Sequence, residues 1–416
     1  MIQAKELREV LHFVFSLQFL RMALFWTLSL IISYLHLFIQ RFPFSRKSNS
    51  YPRCPPANTA TFRPLCIITG ATSGLGKAAA YALSKEGFYV VLVGRSSHLL
   101  SKTMVEIKEK NKNAHLKGFQ VDLSSFHSIL KFKGSLEQWL ADSNMHSSIQ
   151  LLINNAGILA TSCRLTTEGC DQMMATNYMG AFSLTKLLLP LLRSSPVPSR
   201  IVNVSSFTHL NVFDMQVDEG TITGKCFSRP KQYPCAHIYE YSKLCLLLFA
   251  YELHRQLGCM HNSRHVSVIA VDPGAVETNI MREVPSCISH MAFMVLKLLF
   301  LLQSPENGVS SILDAALAPP EISGLYFFGG KGRTVKSSAL SYNTKLAEKL
   351  WTTSCDLFLK LCLASEQATS LLSNCLLGKE SSASSFLHIC PTASSTCLQS
   401  SFSIRVVTVL DLTTKQ

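Results

Sequence analysis

The sequence predicts an α/β protein, a doubly wound parallel sheet of seven strands with helices on both faces, preceded by an N-terminal membrane helix. Three observations carry this. From Leu65 onward, short apolar and β-branched runs alternate with helix-like segments. The first of those runs opens through a glycine-rich turn, Thr69-Gly70-Ala71-Thr72-Ser73-Gly74-Leu75-Gly76, onto the alanine-rich Lys77 to Leu83. Residues 10–39 are strongly apolar. Continuous apolar strands separated by helices imply a parallel sheet buried on both faces.

The first strand is Leu65 to Ile68, and the glycine turn with its following helix starts a βαβ unit. Glycines suit that turn because a missing Cβ allows a tight bend and lets a pyrophosphate approach the free N–H groups of a helix start. A plain surface turn would have the same composition. Further strands are predicted at Phe88–Gly94, Leu116–Leu123, Ile149–Ile153, Ile201–Val204, Val266–Val271 and Leu325–Phe328. A closing helix is expected over Lys331–Phe358. From Gly378 the composition turns Ser/Thr-rich and aperiodic, which reads as disorder.

In the N-terminal stretch the uninterrupted apolar part, Met22–Ile39, is just shorter than the ~20 residues that span a bilayer. Arg21 and His36 sit near its ends, no small-residue cleavage site follows, and a retained anchor is expected over 1–40. Arg41, Arg46, Lys47 and Arg53 outnumber Lys5 and Arg8 on the other flank, which places the main domain on the cytosolic side. A helix lying in one leaflet is the competing arrangement. Pro, Ser and Asn mark a linker over 41–64, the catalytic domain is placed at 65–360, and a largely disordered extension at 361–416.

Composition narrows the function. Apolar residues make up 47% and charged ones 16%, which favours membrane contact. The net charge of +13 is scattered, with no basic run interleaved with aromatics, so nucleic acid is not an expected partner. An anionic membrane surface and a phosphorylated cofactor are. The 14 cysteines include no Cys-x-x-Cys pair and read as free thiols in a reducing compartment. His254, His261 and His265 lack companions at ligand spacing, so no metal is expected.

Ligands of such sheets sit beyond the carboxyl ends of the strands, where each remaining motif falls. These are Asn154-Asn155-Ala156-Gly157, Asn177, Ser205-Ser206, Tyr239-Glu240-Tyr241-Ser242-Lys243 and Asp272-Pro273-Gly274. With the glycine turn, and in this order over residues 65–330, they resemble the short-chain dehydrogenase/reductase superfamily and its Rossmann-like fold. Tyr241-Ser242-Lys243-Leu244 and Leu350-Trp351-Thr352-Thr353-Ser354 are similar to the subgroup holding the retinol dehydrogenases and the dehydrogenase/reductase member on chromosome X.

The resemblance assigns a catalytic set of Asn177, Ser206, Tyr239 and Lys243. Tyr239 and Lys243 are four residues apart on one helix face. A nearby ammonium favours the phenolate, so Lys243 is expected to lower the Tyr239 pKa and make it a usable proton donor or acceptor. Tyr81 and Lys85 have the same spacing but lie in the helix leaving the glycine turn, where a core role is expected. Ser206 would hold the substrate oxygen, with Ser205 the competing candidate. Asn177 would hold a water on the proton path through Lys243.

For the cofactor the resemblance implies contacts from Gly70, Ser73, Gly74, Leu75 and Gly76, and from Asp122 and Leu123 at the adenine. It adds Asn155, Ala156 and Gly157 beside the ribose, Tyr239 and Lys243, and Pro273, Gly274, Val276 and Thr278 at the carboxamide. Arg95 stands after the second strand where an acid would repel a 2′-phosphate, so NADP(H) is preferred, with NAD(H) left open.

Two regions exceed a compact member. More than thirty residues separate Ser206 from Tyr239, and Cys287–Leu302 is nearly all apolar where the family places its substrate lid. The expected activity is interconversion of a hydrophobic alcohol with its aldehyde or ketone, the alcohol being a retinoid, polyisoprenoid or steroid. The alternative is a catalytically silent NADP(H)-binding sensor or scaffold at a membrane. Endoplasmic reticulum with a cytosolic catalytic domain is the expected location; lipid droplet, plastid envelope and a homo-oligomer stay open.

Overall fold

The computed structural model describes residues 16–40, 50–56, 62–143, 145–228, 233–259 and 266–377. Lys5, Arg8, Arg41, Arg46, Lys47, His261, His265 and the tail from Gly378 lie outside them. Contacts group the chain into two compact units, Met1–Leu363 and Ala364–Gln416. The second is helical as far as Leu377.

All seven predicted strands are present: β1 (Leu65–Thr69), β2 (Tyr89–Gly94), β3 (His115–Gln120), β4 (Leu151–Asn154), β5 (Ser199–Val204), β6 (Val266–Asp272) and β7 (Leu325–Phe328). They form one sheet in the order 3-2-1-4-5-6-7, with every pair parallel. The order reverses between β1 and β4, which opens the crevice where such sheets bind ligands. The strand β3 stops short of Leu123 because Asp122 Oδ1 accepts from Ser124 N at 2.9 Å and Ser124 Oγ at 2.7 Å, turning the chain.

Helices α2 (Gly74–Lys85), α3 (Ser97–Lys110), α4 (Phe126–Asp142), α5 (Gly180–Arg193), α6 (Cys235–Gly258), α7 (Ser286–Leu298), α8 (Pro305–Ala316) and α9 (Thr344–Leu377) follow the strands. The sheet is covered on both faces. The residues of β1 are all buried, as their unbroken apolar run requires.

The closing helix starts at Thr344 and not at Lys331. Serines explain the delay: Ser341 Oγ donates to Ser338 O at 2.6 Å, and Ser337 Oγ pairs with the Ser341 hydroxyl at 2.6 Å. Such local side-chain bonds compete with helix, and Asn343 then caps α9 by accepting from Leu346 N at 3.1 Å. Trp351 and Phe358 pack against Phe182 of α5, with centroids 5.7 and 6.4 Å apart, and Trp351 stacks on Phe249 of α6 at 6.2 Å.

The N-terminal helix α1, Leu17–Ile39, has 23 residues and is long and apolar enough to cross a membrane. A wider π-turn occupies Met22–Trp26. Of the stretch read as a linker, residues 50–56 are strapped to the domain: Tyr51 N donates to Gly332 O at 3.0 Å, and Arg53 Nε to Asp314 Oδ1 at 2.6 Å. Of the segment between Ser206 and Tyr239, residues 207–228 and 233–238 are described, and they include a short helix at Glu219–Ile222 that starts with a capping box of Asp218 and Thr221. Cys54, Cys66, Cys163, Cys170, Cys226, Cys235, Cys245, Cys259, Cys287, Cys355 and Cys362 are free thiols. Cys66, Cys170, Cys235, Cys245 and Cys355 are buried, whereas Cys163, Cys226, Cys259 and Cys287 are exposed.

Candidate active site

A cavity of about 680 Å³ lies at the carboxyl ends of the strands. Its floor is the glycine turn. Gly70 and Gly74 have φ of +65° and +49°, a backbone region that favours glycine. A Cβ on Gly76 would come within 2.2 Å of Gly70 O, so only glycine lets α2 start this close to β1. No side chain caps that helix start. Its N–H groups and dipole therefore face a cavity wall that fits a dinucleotide pyrophosphate.

Of the residues expected to hold the cofactor, Gly70, Ser73, Gly74, Leu75, Gly76, Arg95, Leu123, Asn155, Ala156, Gly157, Pro273, Gly274, Val276 and Thr278 line this cavity. Tyr239, Lys243 and Ser206 line it too. Asp122 does not; its carboxylate is turned to Ser124 while its neighbours Val121 and Leu123 face inward.

The helix α6 carries Tyr239 and Lys243 one turn apart. The Lys243 ammonium lies 5.6 Å from the centre of the Tyr239 ring and donates to Val204 O at 3.0 Å. Ser206 lies beside the Tyr239 phenol and acts to lower its pKa, while its Oγ accepts from Thr208 N at 3.3 Å. Ser205 is structural, its hydroxyl donating to Lys243 O at 3.0 Å. Asn177 is buried in a π-turn, Ala175–Met179, behind the cavity wall. Its Oδ1 accepts from Ile158 N at 2.8 Å, and its Nδ2 donates to Ile158 O and Ser242 Oγ. A Cβ on Gly157 would stand 3.5 Å from both Asn177 Oδ1 and Lys243 Nζ, which measures how closely the two approach this backbone. Tyr81 packs against the core with Lys85 over its ring, away from the cavity.

Electrostatics here depart from the sequence expectation. Burial raises the Tyr239 pKa, and the nearby Asp272 carboxylate adds to the rise, with only Ser206 opposing it. Lys243 does not draw the phenol down; it is desolvated itself, and burial pulls it from 10.5 to about 8 against the attraction of Asp272. Asp272 is pushed up to about 6 by burial, despite bonds from Gly274 N and the Tyr326 hydroxyl. The cause is common to all three: little solvent reaches them, and desolvation outweighs pairing.

A stability consequence follows for Lys243. Its folded value lies below its unfolded one, so its contribution is present above about 10.5 and is lost as pH falls through about 8. The melting temperature of the wild type, relative to Lys243→Met, is expected to decline from about pH 10.5 to pH 8 and then level off. A difference that stays flat over that interval would rule the linkage out.

Residues 65–217 match the family described as short chain dehydrogenase. Human polyprenol dehydrogenase is 33% identical over 302 residues, covering 70% of this chain and 84% of its own length. The chain belongs to the short-chain dehydrogenase/reductase family. Mouse retinol dehydrogenase 12 is 34% identical over 294 residues, covering 70% of this chain and 85% of that one. A chloroplastic short-chain dehydrogenase, TIC 32 A of Brassica napus, is 32% identical over 293 residues, covering 68% and 85%. The crystal structure of an uncharacterised protein from Mycobacterium Paratuberculosis matches with TM-score 0.54 at 23% identity, covering 74% of this chain and 98% of that one. It shares the fold.

This short-chain dehydrogenase also has functional candidates that sequence reading missed. His209 is buried and held neutral, its pKa lowered to about 4 by desolvation. Nδ1 donates to Ser206 O at 2.6 Å and Nε2 accepts from Ser338 N at 3.2 Å, so it fixes the Ser206 backbone from behind. Arg282 lines the cavity and shares its field with Arg95, whose like charge helps lower the Arg282 pKa after burial. The largest omission is the roof. Phe19, Met22, Trp26 and Leu30 of α1 line the cavity, and the Trp26 ring lies 5.4 Å from that of Tyr239. Glu240, fully buried beside Tyr239, accepts from Arg21 Nε at 2.9 Å and Trp26 Nε1 at 2.7 Å. Glu240 stands out in sequence as an acid next to the candidate tyrosine, but its partners lie more than two hundred residues away.

Proposed function

We propose that the chain is a membrane-associated NADP(H)-dependent oxidoreductase that interconverts a hydrophobic alcohol with its aldehyde or ketone, with Tyr239 as general acid/base. One observation carries the reading: the Tyr239 phenol, with Ser206 beside it, opens into a cavity whose floor is the glycine turn and whose far walls are the apolar faces of α1 and α7. The nicotinamide, when bound, supplies or accepts the hydride. Ser206 holds the substrate oxygen, and Tyr239 gives a proton to the carbonyl or takes one from the alcohol. Lys243 and Asn177 line the route by which that proton is replaced. The roof keeps water from the reacting carbon.

A substrate of polyprenol or retinol type is favoured by the names of the relatives and by Met22, Leu30, Ile288 and Leu296 along the walls. A panel of such alcohols and aldehydes, tested with purified detergent-solubilised protein, decides between them; no turnover with any would sink the reading. The cytosolic face of the endoplasmic reticulum is the proposed location, and fractionation against organelle markers tests it.

The preference for NADP(H) rests on Arg95 and Arg282 at one end of the cavity, with no acid closing β2. Arg95→Ala is expected to lower the ratio of NADPH to NADH affinity by roughly tenfold, the worth of one charge-assisted bond. An unchanged ratio in fluorescence titrations would remove Arg95 from cofactor choice.

A further inference from the structure

We infer that α1 does not cross the membrane but lies along a single leaflet, as the roof of the catalytic cavity, with its outer face in lipid. This rests on the membrane association proposed above and adds its geometry. At about 35 Å the helix is long enough to span. Yet its bonds to the domain run from one end to the other. Gln18 Oε1 accepts from Ala236 N at 3.2 Å, Arg21 bonds Glu240, and Ser29 Oγ donates to Asn211 Oδ1 at 2.7 Å. The Tyr34 hydroxyl accepts from Gln303 Nε2 at 2.9 Å, and Gln40 Nε2 reaches Thr334 O at 3.4 Å. A helix crossing the bilayer would forfeit most of these and would carry Arg21, Ser29 and Tyr34 into hydrocarbon.

The two faces of α1 differ in kind. Leu30 and Leu37 on the inner face are 1% and 3% exposed, whereas Leu20, Leu24, Leu28, Ile31 and Leu35, spaced three or four apart, form a stripe that is 42–56% exposed. The helix α7 walls the same cavity and leaves Met294, Leu298 and Phe300, just beyond its end, bare. The two helices thus border one cavity with apolar surface.

Charge selects the occupant. Neither 17–40 nor 286–303 contains an aspartate or glutamate; their charged residues are Arg21 and Lys297, with His36 and His290 the histidines. Arg21 is paired with Glu240, which leaves Lys297 as the unmatched charge of the two segments, and an apolar surface that carries no carboxylate of its own fits an anionic lipid leaflet. In this arrangement a lipid-soluble substrate enters between α1 and α7 without passing through water.

The test uses the full-length chain in cell membranes, with one epitope tag at each terminus. After selective permeabilisation of the plasma membrane and protease treatment, both tags are expected to be digested or protected together. Opposite fates would show a spanning helix and overturn the inference while leaving membrane association intact. A chain recovered in the soluble fraction, as a monomer or a dimer joined through this face, would overturn both. A second measurement excludes a re-entrant hairpin. With a protease site placed in residues 41–49, the pair Ser29→Cys and Asn211→Cys is expected to hold the two fragments together under oxidising conditions, and the outer-face pair Leu28→Cys and Asn211→Cys to release them. Release of both, in chains that retain wild-type membrane binding, would overturn the inference.

Discussion

Tyr239→Phe is expected to lower kcat by about 10²–10⁴-fold while leaving NADPH affinity within about twofold of the wild type. Only the hydroxyl is lost. The phenyl ring still packs against Trp26, and the glycine turn that faces the pyrophosphate is untouched. Single-turnover loss of NADPH absorbance with a set of lipid aldehydes, alongside a fluorescence titration of NADPH, separates chemistry from binding. Turnover equal to the wild type would remove Tyr239 from the mechanism. Loss of NADPH binding in proportion to loss of rate would mean that the phenol acts in holding the dinucleotide and not in moving the proton.

The second large effect is expected at Arg21. Its guanidinium is the cation paired with Glu240, whose side chain has no exposed surface. Burial already raises the Glu240 pKa, and the bonds from Arg21 and Trp26 offset this only in part. Arg21→Ala leaves a buried carboxylate without its counter-charge, which costs about 3 kcal/mol, toward the low end for such pairs because Arg21 is itself 28% exposed and water can enter. Because Glu240 adjoins Tyr239 and Trp26 packs on its ring, kcat is expected to fall along with melting temperature. The double variant Arg21→Ala with Glu240→Gln should recover most of the stability, since a neutral amide needs no counter-charge. The deficit of the single variant should also shrink as pH falls and Glu240 takes up a proton. Failure of both rescues would mean that Arg21 acts through packing alone.

The sheet was legible because its strands are buried on both sides, and such strands read as unbroken apolar runs wherever they fall. The glycine turn, Ser206, Tyr239 and Lys243 were legible because each is tied to a strand end or to a fixed helical spacing, both of which survive in one dimension. The roof was not. Hydropathy weighs α1 by composition, and Arg21, Trp26, Ser29 and Tyr34 acquire meaning only against Glu240, Asn211 and Gln303, which the fold brings to them. The direction of the Tyr239 shift was missed for a related reason: spacing shows that a lysine is near but not that both groups are dry. Asp122 sits next to the cavity in sequence, yet two hydrogen bonds from Ser124 turn its carboxylate elsewhere. The start of α9 falls later than the expected Lys331 because the Ser337 and Ser341 hydroxyls bond each other and Ser341 bonds Ser338 O, local contacts that composition does not show.

Every proposed site residue lies upstream of residue 330, but the back of α6 is shored up from further along the chain. Tyr178, in the turn that presents Asn177, bonds Ser354 at 2.7 Å, and Trp351 stacks on Phe249. A product truncated before Thr344 would thus keep every proposed site residue and still lack the packing behind Asn177. For variants of the gene, a reading frame intact through Phe358 is expected to be a condition for the proposed activity alongside Tyr239.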